Sequence, residues 1–136
     1  MQASTCPHAT ESKFRLLYLG TDLKFMAALR QLLTEPDYRL VACSDQGSAV
    51  LFLKSDIPYD LLLIDLEWQG TEGLKLAKLA RSLRHRRRMP IILVAATKLS
   101  SDVKTLARKA GVSECVTKAP NVSVVSEAIR RLIENN

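Results

Sequence analysis

The chain has 136 residues, of which 47% are apolar and 25% are charged, and its formal net charge is +6. This length and composition predict one ordinary globular domain. No apolar run approaches the roughly 20 residues that span a bilayer, and the N-terminus lacks the apolar core of a signal peptide, so we expect a cytoplasmic protein with no membrane contact.

Five apolar segments of strand character alternate with five amphipathic segments of helical period. The predicted strands are residues 14–19, 38–43, 59–67, 91–95 and 113–117, and the predicted helices are residues 23–33, 46–54, 71–84, 101–110 and the segment after Asn121. Such alternation indicates an α/β fold, with helices on both faces of one parallel sheet. Residues 1–12 carry no periodicity and are predicted to be a flexible tail before a domain spanning residues 13–136.

The third predicted strand is the centre of this sheet. Residues 61–64 are four consecutive apolar residues, which is typical of a strand that helices cover on both faces. Asp65 lies at the carboxyl edge of this strand, where open α/β sheets hold their ligands. Asp65 is therefore either a cap for the next turn or the chemical centre of the protein.

Polar groups from several strand ends are expected to meet Asp65 at this edge. Lys118 follows the fifth strand, and an aspartate facing a lysine can form a phosphoryl-acceptor site in which the carboxylate attacks and the ammonium stabilises the added charge. Such transfer also needs a hard cation, for which only Asp22 and the backbone carbonyl of Glu67 accompany Asp65. Asp22 is also a good helix N-cap.

The sequence resembles the receiver domains of two-component response regulators over residues 14–136. The resemblance rests on the order of the elements and on four motifs: residues 59–66, Gly70 with Gly73, Pro90-Ile91-Ile92, and Gly111 followed by Thr117-Lys118. It implies a flavodoxin-like three-layer fold with strand order 2-1-3-4-5. It also implies that Asp65 is the phosphoacceptor and Lys118 the phosphoryl contact.

The same resemblance implies a place in a phosphorelay. A histidine kinase or another signalling protein would be the partner, and self-phosphorylation from a phosphodonor would be the only enzymatic activity. The fourth helix, fifth strand and fifth helix would form the surface for partners or for a homodimer.

The sequence departs from the receiver pattern at the metal site. Receivers end their first strand with a pair of acidic residues that bind Mg²⁺, and Gly20 and Thr21 stand there instead. A site made of Asp22, Asp65 and the Glu67 carbonyl is therefore predicted to be weak or absent.

The switch positions depart as well. The switch hydroxyl that ends the fourth strand of receivers is Ala95, and the switch aromatic residue of the fifth strand is Cys115. Thr97 could replace the hydroxyl only if its loop bends back. The usual Lys-Pro pair is interrupted as Lys118-Ala119-Pro120.

Two functions stay open from these residues. The first is a receiver that accepts a phosphoryl group on Asp65 with impaired switching. The second is a phosphorylation-independent interaction module with a fixed surface. Trp68, in the predicted loop after Asp65, could cover the crevice, anchor a partner or fold onto the neighbouring helix.

The positive charge is concentrated in one part of the sequence. No acidic residue lies between Glu72 and Asp102, whereas eight lysine and arginine residues do, including those of the run 84–88. Pro90 disfavours helix before it, so this run is predicted to be a charged loop after a solvated helix face. Such a patch attracts anions, but it contains no aromatic residue for base stacking, so nucleic-acid binding is the weaker expectation.

Overall fold

The computed structural model describes residues 13–34 and 37–134, so the predicted tail at residues 1–12 lies outside the described part. Five strands there form one parallel sheet in the order β2-β1-β3-β4-β5, which confirms the predicted α/β fold and its strand order. The strands are β1 (Phe14–Leu19), β2 (Tyr38–Cys43), β3 (Leu61–Asp65), β4 (Ile91–Ala95) and β5 (Glu114–Thr117).

Helices cover both faces of this sheet. They are α1 (Leu23–Leu32), α2 (Gln46–Lys54), α3 (Leu66–Gln69), α4 (Leu74–Ser82), α5 (Ser101–Ala110) and α6 (Ser123–Glu134). The prediction of a loop after Asp65 was wrong, because the chain continues into α3 and then a 3₁₀ turn at Gly70–Gly73. Among the described residues, no helix is long and apolar enough to cross a membrane.

The core has one layer on each face of the sheet, and every residue of β3 and β4 is buried. This burial on both faces explains why the two strands are continuous apolar runs. In α2, Ala49 and Leu53 are buried against the core, whereas Leu51 is 69% exposed.

One arginine of the basic run is buried, although its neighbours are exposed. Arg86 is 2% exposed, and its guanidinium donates to the carbonyl oxygens of Phe52, Leu53 and Ser55 at distances of 2.9–3.1 Å. These acceptors lie at the C-terminal end of α2, where backbone carbonyls lack helical partners. Arg86 therefore holds the end of a helix and does not belong to a solvent-exposed patch.

Strand register brings the functional residues together. Leu19 pairs with Ile64, and Ala95 pairs with Thr117, so the residues that follow β1, β3, β4 and β5 meet at the carboxyl edge. The Lys118 N–H donates to the carbonyl oxygen of Ala95 at 2.8 Å, which continues the pairing one residue beyond β5. The sheet thus positions Lys118 beside Asp65.

Candidate functional site

Asp65 lies at the centre of a closed polar network. Its carboxylate is buried, and the whole residue is 1% exposed. Lys118 Nζ donates to Asp65 Oδ2 at 2.8 Å and to Asp22 Oδ2 at 2.7 Å. The predicted meeting of Asp65, Lys118 and Asp22 is therefore found in the structure, and one ammonium joins the two carboxylates.

Asp22 has two roles at once. Its Oδ1 accepts from the Phe25 N–H at 3.0 Å, which makes it the N-cap of α1, while Oδ2 accepts from Lys118. The sequence left open whether Asp22 is a helix cap or a cation ligand, and the structure shows the cap together with an ion pair to Lys118. The cap fixes the carboxylate, since capping orients the residue against the first turn of the helix.

Tyr18 is the residue that sequence reasoning missed. It lies in β1 with 0% exposure, and its hydroxyl donates to Asp65 Oδ2 at 2.5 Å. The same hydroxyl oxygen accepts from the Asp22 N–H at 3.3 Å. A signal for it was present, because a tyrosine in a fully buried strand needs a hydrogen-bond partner for its hydroxyl.

The lack of a side chain at Gly20 leaves room for the Tyr18 ring. A Cβ atom at position 20 would lie 2.5 Å from both Cζ and Oη of Tyr18 and 2.8 Å from Cβ of Asp65. Both neighbours are buried, so neither can move away without disturbing the core. The tyrosine ring thus fills the space in which a longer side chain at position 20 would begin.

Glu67 joins the network through its side chain and its N–H group. Its N–H donates to Asp65 Oδ1 at 3.1 Å, and its Oε1 accepts from the Ala96 N–H at 3.0 Å and lies 3.6 Å from Lys118 Nζ. Both oxygens of Asp65 consequently have protein partners. The predicted contribution of the Glu67 carbonyl to a metal site stays a prediction.

The arrangement fits an ammonium better than Mg²⁺. The carboxylates of Asp22, Asp65 and Glu67 all approach Lys118 Nζ, at 2.7, 2.8 and 3.6 Å. Among the residues that the structure describes, no group of three or more acidic, histidine or cysteine side chains is arranged to hold a metal ion. A hard cation here would have to compete with a cation that is already part of the chain.

These contacts set the protonation states of Tyr18, Lys118 and Asp22. Burial, and then the hydrogen bond to Asp65, raises the pKa of Tyr18 far above its usual value. Burial by itself would lower the pKa of Lys118, but hydrogen bonds to Asp22 and Asp65 raise it above its usual range. The hydrogen bond from Lys118 is the main cause that lowers the pKa of Asp22. At neutral pH the network therefore holds a neutral phenol, an ammonium and an ionised Asp22.

These shifts predict a loss of stability at alkaline pH. The phenol of Tyr18 stays protonated in the folded state, whereas an unfolded tyrosine ionises near pH 10.0, so unfolding releases a proton above that pH and becomes more favourable. Lys118 changes the free energy of unfolding in the same direction. The stability that its contacts contribute is complete below pH 10.5 and is lost as the pH rises through the pKa of Lys118 in the folded state. Each group adds a slope of up to about 1.4 kcal/mol per pH unit.

Tyr18→Phe should reduce that slope. The measurement is the free energy of unfolding by urea at a series of pH values above 9.5, compared between the wild type and the variant. Tyr38→Phe is the comparison: the pKa of Tyr38 is raised to about 12, so this variant should also lose slope between pH 10 and 12 but, unlike Tyr18→Phe, should keep the wild-type slope above pH 12. An unchanged alkaline slope in Tyr18→Phe would contradict the assignment of the phenol.

Of the two residues at the switch positions, Ala95 ends β4 and Cys115 lies within β5. Ala95 is buried and offers no hydroxyl, and Cys115 is half-buried against the core. Thr97 is exposed, and no hydrogen bond in the described part of the chain joins it to Asp65. The peptide bond between Ala119 and Pro120 is cis, one residue beyond the bond next to Lys118.

Trp68 is folded against the protein and not extended into solvent. Its indole N–H donates to the carbonyl oxygen of Ser44 at 2.8 Å, and its ring packs on the core beside Gly73. Of the three alternatives that the sequence left open, the structure is closest to packing on the protein. The contact ties α3 to the loop after β2.

Comparison with known proteins gives a family match and similar solved structures. The model of the response regulator receiver domain matches residues 20–130. A response regulator from Thermotoga maritima is similar in structure, with a TM-score of 0.74 and 18% identity over 90% of this chain and 98% of that one. So is the receiver domain of the sensor histidine kinase PA1611 from Pseudomonas aeruginosa PAO1, with a TM-score of 0.72 and 22% identity over 89% and 98% of the two chains.

Curated relatives are similar in sequence over one segment. The signal transduction histidine-protein kinase BarA is 26% identical over 122 residues in Shigella flexneri and 25% identical over 122 residues in Escherichia coli K12. The match covers 86% of this chain and 13% of each relative. The present chain therefore corresponds to a small part of those proteins.

Proposed function

The chain belongs to the response regulator receiver domain family of two-component signalling, and we propose that it acts there as a phosphorylation-independent interaction module. Asp65 holds the phosphoacceptor position, and in this proposal it serves as the centre of a fixed polar network. One observation carries the proposal: both carboxylate oxygens of the buried Asp65 are bound by groups of the protein itself.

Phosphorylation on Oδ2, the oxygen that Lys118 contacts, would require this network to open, because both lone pairs of that oxygen are occupied, whereas Oδ1 accepts one hydrogen bond. The attacking oxygen needs a free lone pair directed at the phosphorus, and a hard cation must neutralise the incoming charge. Asp65 Oδ2 already accepts from Tyr18 and Lys118, and Oδ1 accepts from the Glu67 N–H. Releasing Tyr18 would leave a buried hydroxyl without a partner, which costs about 1–3 kcal/mol.

A second candidate function is a receiver that is phosphorylated slowly. The contact of 2.8 Å between Lys118 Nζ and Asp65 Oδ2 favours it, because the acceptor carboxylate and the stabilising ammonium are both kept. In this case Asp65 would react in the rare molecules whose Tyr18 hydroxyl has moved aside. Switching would still be impaired, since Ala95 has no hydroxyl to bind a phosphoryl oxygen.

A phosphodonor assay separates the two candidates. The protein is incubated with MgCl₂ and acetyl phosphate and its intact mass is followed over hours, with Asp65→Asn as the control. The interaction module predicts no phosphoryl adduct in either protein. An adduct that forms on the wild type and is absent from the control would overturn the proposal and establish the slow phosphoacceptor.

The family suggests which proteins bind this domain and which surface they contact. We expect a histidine kinase or another signalling protein to bind this domain. The surface of α5, β5 and α6 is the expected contact for partners or for a homodimer, and Leu106 and Val124 expose apolar side chains there. A cytoplasmic location stays a prediction of the sequence.

A further inference from the structure

A second concave site lies at the opposite end of the sheet from Asp65. It is a cavity of about 590 Å³ beside the residues that lead into β3 and β4. Tyr59 and Met89, both largely buried, contribute to its wall. The basic residues that line it are Arg84, His85, Arg87 and Arg88.

Other arginines hold this basic segment in a fixed conformation. Arg86 is anchored to the end of α2, and its guanidinium lies 5.0 Å from the centre of the Tyr59 ring. Arg81 donates from Nη1 to the carbonyl oxygens of Arg87 and Met89, at 2.8 and 2.6 Å. The backbone is thus fixed on both sides of the exposed arginines, which reduces the entropy that a ligand would have to remove.

The exposed arginines keep their own donors available. Arg84, Arg87 and Arg88 are exposed, and within residues 13–34 and 37–134 no hydrogen bond or salt bridge engages their guanidinium groups. Asp60 is the one acidic residue in the lining, and its Oδ2 accepts from the Arg15 N–H at 2.8 Å. The cavity therefore has a clear excess of positive charge.

We propose that this cavity binds an acidic segment of a partner protein, in which carboxylates flank an apolar side chain. Guanidinium groups bind carboxylates through paired hydrogen bonds, so the three exposed arginines would hold the acidic residues. The apolar side chain would lie against Tyr59 and Met89. The choice of a peptide rests on the proposed role as an interaction module, whereas the cavity and its charge do not depend on the state of Asp65.

The shape favours a peptide over nucleic acid. Cavities of roughly 300–1,000 Å³ enclose small groups, whereas a duplex backbone needs a protruding or extended basic surface. Arg86 covers one face of the Tyr59 ring, so that face cannot stack on a base. A small phosphate would engage the arginines and leave the apolar wall unused.

The test is binding of a labelled heptapeptide with a central phenylalanine and three acidic residues on each side. Fluorescence anisotropy gives the affinity at low salt, and amide chemical shifts in the full chain locate the site. We expect the chemical-shift changes to be concentrated at residues 59–60 and 84–90. Each exposed ion pair contributes little alone, so all three arginines are replaced together, and Arg84→Gln/Arg87→Gln/Arg88→Gln should bind the peptide about tenfold more weakly. The control Lys24→Gln/Lys78→Gln/Lys109→Gln removes the same charge from exposed positions outside the cavity and should bind nearly as the wild type does.

Three results would overturn the proposal. The peptide does not bind, or the two triple variants lose peptide affinity equally. The third is that pyrophosphate or a DNA duplex binds the same residues more tightly than the peptide does. A phosphoryl adduct on Asp65 would overturn the proposed function and leave peptide binding unaffected. The two failures can therefore be distinguished.

Discussion

Replacing Lys118 by methionine is expected to lower the free energy of unfolding by about 3 kcal/mol, since removing one partner of a buried ion pair leaves an uncompensated charge. Asp65 is 1% exposed and cannot turn to water, so its carboxylate would keep only the Tyr18 hydroxyl and the Glu67 N–H. Asp22 is less affected, because its side chain is 37% exposed. Equilibrium denaturation in urea at pH 7 measures the change.

Two variants control this experiment. Lys118→Met/Asp65→Asn removes both charges and should recover most of the lost stability, because a neutral amide costs far less to bury than an unpaired carboxylate. Lys24→Met changes an exposed lysine and should leave stability within about 0.5 kcal/mol of the wild type. A Lys118→Met protein as stable as the wild type would show that Lys118 does not neutralise Asp65.

The fold was predictable because the apolar residues of this sequence form clear strand and helix patterns. Residues 61–64 and 91–95 are continuous apolar runs, and both are strands buried on two faces. The positions of Asp65 and Lys118 then followed from parallel topology alone, since strand ends share an edge. The short helix α3 was missed because its four residues give too little periodicity to detect.

The detail of the site was not predictable, because it depends on what a buried side chain touches. The sequence offered Asp22 as a cation ligand or a helix cap, but it could not show that the cap geometry turns Oδ2 towards Lys118. Tyr18 reads as one more core residue of β1 until its hydroxyl is found beside Asp65.

The basic run shows the opposite error. Counting charges does not distinguish between these arginines, although Arg81 of α4 and Arg86 of the run donate to backbone carbonyls of other segments. Sequence composition gives the sign of a patch, whereas the structure separates the arginines that support the fold from those that are available to a ligand. Only Arg84, Arg87 and Arg88 remain in the second group.

A double-mutant cycle on Tyr18 and Gly20 should show strong coupling. Gly20→Asp places a Cβ 2.5 Å from Tyr18 Oη and adds a charge beside Asp65, so we expect a loss of about 1–3 kcal/mol from overpacking. Tyr18→Val alone leaves a cavity and removes a hydrogen bond to Asp65. Tyr18→Val/Gly20→Asp should be more stable than the sum of the single losses by roughly 1 kcal/mol or more, because the smaller side chain removes the closer of the two contacts that the new Cβ makes.

The same cycle tests why the site holds an ammonium and lacks the acidic pair of receivers. Tyr18→Val/Gly20→Asp/Thr21→Asp supplies two carboxylates next to Asp65, so Mg²⁺ should raise its Tm; at ten times the dissociation constant the gain is roughly 1.4 kcal/mol, or several degrees. The wild type should show no shift, and Gly20→Asp/Thr21→Asp should bind the ion poorly because Tyr18 still fills the space. If that double variant responds to Mg²⁺ as strongly as the triple variant, Tyr18 does not obstruct the metal site, and the loss of the acidic pair alone accounts for the difference from receivers.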